Sequence, residues 1–208
     1  MGRFLRVGLS GGLATGKSTV LAVFAAEGAR VLDADQLARE VLAPGTPGHL
    51  EAAEIFGAGV LAADGSIDRA KLAAKVFADP EARRRLEAMV HPEVLRREQE
   101  WREQVEASAE SGVLVVDATL ILELGRSRAY DLLVVTVCPE EEQVRRAVLR
   151  GMSAADARAR LAAQMPGAEK ASRADLVIDT SGSLAQTQAR AREVYRELER
   201  RRAALNTT

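Results

Sequence analysis

A glycine-rich run between an apolar segment and a helical one is the feature that most constrains how this chain folds. Its residues, GGLATGKS at 11–18, fit the spacing G-x-x-x-x-G-K-[ST] and directly follow the apolar run FLRVGLS. Glycines let the backbone curl with its N–H groups pointing inward, and the N-terminus of the following helix adds positive potential there. The pattern predicts a loop that binds nucleotide phosphates, with Lys17 between the β- and γ-phosphates and the Ser18 hydroxyl on Mg²⁺.

Short apolar, β-branched segments recur along the chain and alternate with helical patterns. The segments read as buried parallel strands at 4–10, 29–35, 113–118, 131–138 and 174–180, and helical patterns cover 17–28, 140–150 and 183–204. Ser183 and Gln186 have the spacing of a capping box at the start of the last helix. Alternation of this kind predicts an α/β fold with a doubly wound, parallel, five-stranded sheet.

Two stretches interrupt that alternation. Residues 36–110 read as mostly helical, with Pro44, Pro47, Pro80 and Pro92 dividing them into about four helices, the last from Pro92 to about Ala109. Such a stretch is far too long for a simple crossover between strands, so it predicts an inserted helical lobe. Residues 151–173 predict a second, shorter helical insertion. The nucleotide-binding core is then expected in 1–35, 111–150 and 174–208.

The amino-acid composition argues against several classes of protein function. The 208 residues carry a net charge of −1 with 3% aromatic residues, which argues against a basic nucleic-acid coat protein and against a base-stacking platform. No apolar run approaches the length of a membrane span, so no membrane partner is expected. Cys138 is the one cysteine, and it lies in an apolar run. We expect a buried, inert thiol and a cytoplasmic protein.

Lysine is rare among the cations. Of the 29 Lys and Arg residues only Lys17, Lys71, Lys75 and Lys170 are lysines. The simplest interpretation is a compositional bias towards arginine at ordinary surface positions. In such a chain a retained lysine indicates a place where arginine would not serve, which supports a specific role for Lys17.

Carboxylates lie at the ends of two of the predicted strands. Asp33 and Asp35 end the second strand and would point to the same side if the backbone stays extended. A carboxylate at that edge could accept a proton from an acceptor hydroxyl or hold Mg²⁺ through water, whereas Asp35 could equally cap the following helix. Asp117 ends the apolar run VLVVD, a weaker pattern that is typical of a residue orienting Mg²⁺ or its water.

Guanine-nucleotide switches share the glycine-rich loop but also need an N-K-x-D motif, which is absent from this sequence. The one D-x-x-G candidate, at 179–182, follows the last strand and is interpreted as a chance match.

On these motifs the chain resembles the dephospho-coenzyme A kinase family, and the resemblance covers nearly its whole length. The matching segments are GLSGGLATGKSTV, VLDADQLAREVL, residues 56–92 from FGAGV to MVHP, VVDATLILELG, and AAQMPGAEKASRADLVIDTSGS. The segment with D-A-D-x-x-x-R is more specific than the glycine-rich loop, which many families share.

The resemblance implies that ATP phosphorylates the ribose 3′-hydroxyl of dephospho-coenzyme A, with Mg²⁺ as cofactor, to give coenzyme A and ADP. It implies that residues 36–110 bind the substrate and that 151–173 form a lid. The implied ATP-binding residues are Gly12, Ala14, Thr15, Gly16, Lys17, Ser18, Thr19 and Arg150. The implied catalytic residues are Lys17, Asp35 as first choice for the base, Asp33 as second choice, and Arg146. Asp35, Arg39 and His91 are the candidates for binding the acceptor, and Ser18 and Asp117 (through water) for binding the metal.

Several positions leave alternatives open. His91, just before Pro92, is either a helix cap or a substrate contact. Thr119 stands where the family usually has Pro, Gly151-Met152 where it has an acidic pair, and Thr180 where Asn is common. Dephospho-coenzyme A and ATP are the expected partners, without nucleic acid. A monomer is expected, with a weak oligomer as the alternative.

Overall fold

The five predicted strands form one parallel sheet. A computed structural model describes residues 3–108 and 111–205. The strands are β1 (Phe4–Gly11), β2 (Arg30–Asp33), β3 (Gly112–Asp117), β4 (Leu132–Val137) and β5 (Leu176–Asp179). Their order across the sheet is β2-β3-β1-β4-β5, with every neighbouring pair parallel. The predicted α/β fold is confirmed, and β1, the strand before the glycine-rich loop, lies at the centre of the sheet.

Helices connect the strands and make up most of the remaining chain. They are α1 (Lys17–Ala26), α2 (Ala34–Val41), α3 (Pro47–Phe56), α4 (Arg69–Ala78), α5 (Pro80–Ser108), α6 (Glu140–Leu149), α7 (Ala154–Ala162), α8 (Gly167–Ser172) and α9 (Leu184–Leu205). Within the described ranges, none of them combines the length and the apolar composition that crossing a membrane would require.

The sheet is buried because its strands are apolar on both faces. Val7, Leu9 and Val115 are among the fully buried side chains, and α1 and α9 pack against one face through Phe24 and Leu198. The predicted capping box starts α9: Ser183 N donates to Gln186 Oε1 (2.8 Å) and Gln186 N donates to Ser183 Oγ (3.2 Å). Two of the backbone N–H groups at this helix start are thereby satisfied.

The chain divides into two compact units. One comprises Met1–Asp33 with Gln104–Thr208 and contains the sheet; the other is Ala34–Glu103. The helical unit has a small core of its own, formed by Ala52, Phe56, Val60, Ile67, Leu72 and Ala82. The assignment of these regions as nucleotide-binding core, substrate lobe and lid stays a prediction, and Ala109, Glu110 and 206–208 lie outside the described residues.

Two predicted boundaries are wrong. β2 ends at Asp33 and α2 begins at Ala34, so Asp35 lies in the first turn of a helix and not at the end of an extended strand. The register with β3 explains this, because Asp33 pairs with Asp117, the last residue of β3, and no partner strand continues beyond it.

Pro92 does not start a helix either, since α5 runs unbroken past it. A proline inside a helix costs about 3 kcal/mol or more. Val90 and Val94, on either side of the proline, are buried, as is Ala82 in the first turn of α5. Burial of apolar side chains stabilises the helix against that cost.

The packing of α9 gives a stability prediction with a control on the same helix. Leu198 is fully buried in the sheet core, whereas Leu184 is 62% exposed. Leu198→Ala should lower the free energy of unfolding by about 2–5 kcal/mol, because it removes buried methyl groups and leaves a cavity. Leu184→Ala should change it by less than about 0.5 kcal/mol. Urea denaturation followed by circular dichroism measures both; similar losses in the two variants would contradict this description of the core.

Candidate active site

The glycine-rich loop joins the central strand to α1 and has the conformation that its sequence predicts. Gly16 lies in the left-handed region (φ 83°) immediately before the helix, and Ala14, unusually for a residue with a Cβ atom, also has a positive φ of 54°. At Gly11 space is the constraint, because a Cβ atom there would lie 2.1 Å from Thr136 Oγ1. The loop therefore needs glycine at position 16 for its left-handed backbone conformation, and at position 11 because there is no space for a Cβ atom.

Hydroxyl groups of threonine side chains fix the glycine-rich loop in place. Thr15 Oγ1 lies 2.8 Å from Thr136 Oγ1 on β4, and Thr180 Oγ1 donates to the Thr15 carbonyl at 2.7 Å. These contacts are buried, so the hydrogen bonds are protected from competition with water. They tie the loop to the ends of β4 and β5.

Lys17 and Asp117 form an ion pair at the base of the loop, with Nζ 2.5 Å from Oδ1. The register of the sheet brings them together: Leu9 of β1 pairs with Asp117 of β3, so the end of β3 lies beside the glycine-rich loop. Asp117 is only 4% exposed. A buried carboxylate needs such a partner, because desolvation of an unpaired charge is costly.

A second carboxylate lies at the adjacent strand end. Asp33 pairs in register with Asp117 across β2 and β3, and its side chain is exposed. Ser18, in the first turn of α1, is exposed as well. Carboxylate and hydroxyl oxygens are the ligands that Mg²⁺ prefers.

The Ser18 hydroxyl and the carboxylates of Asp33 and Asp117 also fit a cation that keeps much of its hydration shell. Among residues 3–108 and 111–205, no group of three or more His, Cys, Asp or Glu side chains could hold a metal ion. A cation at this edge would therefore take most of its ligands from phosphate and water. Mg²⁺ bound with a nucleotide behaves in this way.

Arg146 is not a solvated side chain. Its Nη2 donates to the Thr180 carbonyl at 2.6 Å and its Nε donates to Glu142 Oε1 at 2.6 Å. Hydrogen bonds from Arg145 and then Arg146 lower the pKa of Glu142 to about 2, so this carboxylate is ionised at neutral pH. The structure thus holds Arg146 against the end of β5.

Arg146 and Arg150 line one cavity of about 370 Å³, together with Gly16, Thr19 and Thr180. Arg150 is exposed at the end of α6. The two arginines therefore lie on the wall of one cavity beside the glycine-rich loop.

In the helical unit, Arg39 and His91 line another cavity, of about 470 Å³, with apolar residues such as Leu42 and Val90. Asp35 and Arg39 both belong to α2, but Asp35 is not part of the wall of this cavity. His91 lies inside α5, so the alternative of a helix cap is wrong. The substrate-contact alternative stays a prediction.

Gln164 lies in one of the segments that carry the family resemblance, but sequence reasoning gave it no role in the site. Gln164 Oε1 accepts a hydrogen bond from the Leu13 N–H at 3.0 Å, although the two residues are 151 positions apart in the chain.

Cys138, predicted to be buried, is only partly buried because it lies just beyond the end of β4. Burial still raises the pKa of its thiol, which suits the inert role expected of it.

Comparison with known proteins agrees with this architecture. The family model for dephospho-CoA kinase (CoaE) matches residues 5–186. The dephospho-CoA kinase of Frankia casuarinae is 45% identical over 201 residues, which cover 97% of this chain and 86% of that protein. The enzyme of Streptomyces avermitilis is 45% identical over 195 residues, covering 93% and 94%.

Two solved structures have a similar fold. The crystal structure of TT1252 from Thermus thermophilus has a TM-score of 0.79 at 34% identity, covering 92% of this chain and 96% of that one. Dephospho-CoA kinase from Campylobacter jejuni has a TM-score of 0.62 at 24% identity, covering 94% and 97%. The parallel sheet and the phosphate loop after its central strand are those of a P-loop kinase, a class of enzyme that uses ATP. Within that class, the chain belongs to the dephospho-CoA kinase family.

The Thr180 contacts give a prediction about nucleotide binding. Thr180→Val keeps the side-chain shape but removes the hydroxyl that donates to Thr15 and lies 3.3 Å from Arg146 Nη1. Leaving the buried Thr15 carbonyl without this donor should weaken ATP binding about tenfold. Titration calorimetry measures the dissociation constant, with Thr180→Ser as the control that keeps the hydroxyl. An unchanged affinity in the valine variant would show that the loop does not depend on this contact.

Proposed function

We propose that this protein transfers the γ-phosphoryl group of ATP to the ribose 3′-hydroxyl of dephospho-coenzyme A, giving coenzyme A and ADP. The observation that carries the proposal is the Lys17–Asp117 pair at the base of a phosphate loop, in a chain of this family. Phosphoryl transfer needs little covalent chemistry from a protein, and it depends on positioning and on charge. The site supplies both.

The nucleotide is proposed to lie on the loop, with its phosphates against the backbone N–H groups of residues 12–19. Lys17 supplies a positive charge to the β- and γ-phosphates. Arg146 and Arg150, which line the cavity next to Gly16 and Thr19, neutralise charge as the phosphoryl group leaves.

Ser18 and Asp117, the latter through water, are the residues that would hold Mg²⁺. When bound, Mg²⁺ supplies charge neutralisation for the β- and γ-phosphates. Asp117 has a second task that needs no metal: its contact with Lys17 restricts where the ammonium can lie.

For the acceptor, a carboxylate is proposed to accept the 3′-hydroxyl proton. Asp35 is the first choice and Asp33 the second; the former lies in the first turn of α2 and the latter at the end of β2. Arg39 and His91 are proposed to contact the acceptor from the cavity of the helical unit, whose apolar walls suit an uncharged part of the substrate.

The three-part layout is part of the same proposal. Residues 36–110 form the substrate lobe, residues 151–173 form the lid, and the rest forms the nucleotide-binding core. A lid that closes over the site excludes water and so prevents wasteful hydrolysis of ATP. A single cysteine suits a reducing compartment, and we place the enzyme in the cytoplasm as a monomer.

The direct test is to supply ATP and Mg²⁺ with a panel of acceptors and to identify the products by mass spectrometry. The panel contains dephospho-coenzyme A, nucleoside monophosphates and nucleosides. The expected products are coenzyme A and ADP, with no phosphorylation of the other acceptors. Phosphate on nucleoside monophosphates but not on dephospho-coenzyme A would overturn the proposal and favour a nucleotide kinase.

Lys17→Arg tests the role of the lysine without stripping Asp117 of its positive partner. The planar guanidinium is larger than an ammonium and places its charge differently, so kcat should fall at least about 100-fold with little change in thermal stability. Lys71→Arg is the control, because Lys71 is an exposed lysine on α4. A kcat for Lys17→Arg within a few-fold of the parent value would contradict the proposed role.

Asp35→Asn and Asp33→Asn together identify the base. Loss of a general base should lower kcat by about 100-fold or more, whereas the KM for dephospho-coenzyme A changes little. We expect that pattern for Asp35→Asn and a smaller loss for Asp33→Asn. The opposite order would assign the base to Asp33. Loss of thermal stability without a selective loss of kcat would mean that Asp35 only stabilises the start of α2.

A further inference from the structure

Lys170 is the one lysine of this chain whose side chain is completely buried. It is 0% exposed, and its Nζ lies 2.7 Å from Glu123 Oε1 and 2.8 Å from the carbonyl oxygen of Thr119. Complete burial of an ammonium costs free energy unless its donors are used, so these two acceptors are what allows it. Nothing in the proposed transfer reaction requires a charge at this position.

The two acceptors belong to the loop that follows the Asp117 strand end. Thr119 is two residues beyond Asp117, and its carbonyl also accepts a hydrogen bond from Ser10 Oγ on β1 (3.0 Å). Glu123 Oε1 accepts a second hydrogen bond, from the backbone N–H of Met165 (3.2 Å). Glu123 Oε2 is buried, and the described residues offer it no hydrogen-bond partner, so this carboxylate meets its positive partner, Lys170, through Oε1.

The same segment also contacts the phosphate loop. Gln164, the neighbour of Met165, accepts the Leu13 N–H at 3.0 Å. Leu13 directly precedes Ala14, which has the unfavourable positive φ. Residues 164–170, here called the brace, therefore touch the phosphate loop through Gln164 and the loop after Asp117 through Met165 and Lys170. The brace is the C-terminal part of the segment proposed above as the lid, and these contacts make it the fixed end of that segment.

We propose that Lys170 is a positioning residue for phosphoryl transfer. It fixes the brace to the Thr119 carbonyl and to Glu123, and thereby sets Asp117 relative to the Leu13–Ala14 turn of the phosphate loop. This inference rests on the proposed function for its effect on rate, but the contacts that carry it are independent of any substrate.

The geometry also accounts for lysine in an arginine-rich chain. The ammonium must meet a carboxylate and a backbone carbonyl in a space closed to water. A tetrahedral point charge can donate in both directions, whereas a planar guanidinium is larger and has its donors fixed in one plane. Arginine at 170 would displace one of the two loops that the lysine joins.

The experiment must separate positioning from simple stabilisation. Lys170→Met alone would leave the Glu123 charge buried without its partner, so the main variant is Lys170→Met/Glu123→Gln, which removes both charges. Neutralising a buried pair together is usually far less destabilising than removing one partner. The control is Arg190→Met/Glu193→Gln, which removes an exposed ion pair from α9, outside the segments proposed to act in the reaction.

For the main variant we expect a melting temperature within about 3 °C of the parent value. The KM values for ATP and dephospho-coenzyme A should stay within about twofold while kcat falls at least about tenfold, since misplaced catalytic groups affect the transition state more than substrate binding. Amide hydrogen exchange should become faster in peptides covering residues 12–15 and 118–123. The control should match the parent in every measurement.

A main variant with the parent's kcat and the parent's exchange rates would overturn the proposal, as would a fall in melting temperature with kcat unchanged. If this variant does not fold, Lys170→Arg takes its place: kcat should again fall at least about tenfold and exchange should become faster in the same two peptides, whereas the parent's values for both would overturn the proposal. If the parent itself makes no coenzyme A, the proposed function fails while the exchange measurement still decides the role of Lys170. Faster exchange in both peptides would support it, and unchanged exchange would overturn it.

Discussion

The contact between Lys17 and Asp117 is the interaction on which the rest of the site depends. Both side chains are largely removed from water, and removing one partner of a buried pair typically costs about 3–5 kcal/mol. The pair forms only because Leu9 and Asp117 share a register in the sheet and because α1 starts at Lys17. The apolar core under β1 and β3 thus has a functional consequence, since it holds a cation and an anion at 2.5 Å where phosphate is expected to bind.

Uncharged hydroxyls hold the rest of the loop. Thr136 contacts Thr15 and donates to the Ser10 carbonyl (3.4 Å), while Ser10 donates to the carbonyl of Thr119. These groups link the ends of β1 and β4 to the loop after β3, and none of them brings a charge of its own to the Lys17–Asp117 pair. A short polar layer of this kind rigidifies a site because each buried hydroxyl must keep its partner.

Sequence patterns predicted the sheet, the phosphate loop and the capping box because each is encoded within a few neighbouring residues. The errors at Asp35 and Pro92 have a different cause. β2 ends where its pairing with β3 ends, and α5 continues past Pro92, where Val90 and Val94 are buried on either side of the proline. The contacts Gln164–Leu13 and Lys170–Thr119 join residues 151 and 51 positions apart, so no local spacing could predict them. A pattern of neighbouring residues in the sequence carries no information about such long-range polar contacts of single side chains.

The scarcity of lysine becomes informative once its contacts are known. Lys71, Lys75 and Lys170 donate to backbone carbonyls, those of Leu61, Phe56 and Thr119. Lys17 instead contacts the buried carboxylate of Asp117. A lone carbonyl or a single carboxylate oxygen suits a compact ammonium, whereas the guanidinium fork of arginine suits two parallel acceptors, as in its many pairs with glutamate on the helix surfaces. The bias towards arginine is therefore broken where the cation meets separate oxygen atoms and not the two parallel oxygens of one carboxylate, and two of those four lysines, Lys17 and Lys170, contact Asp117 and the loop that follows it.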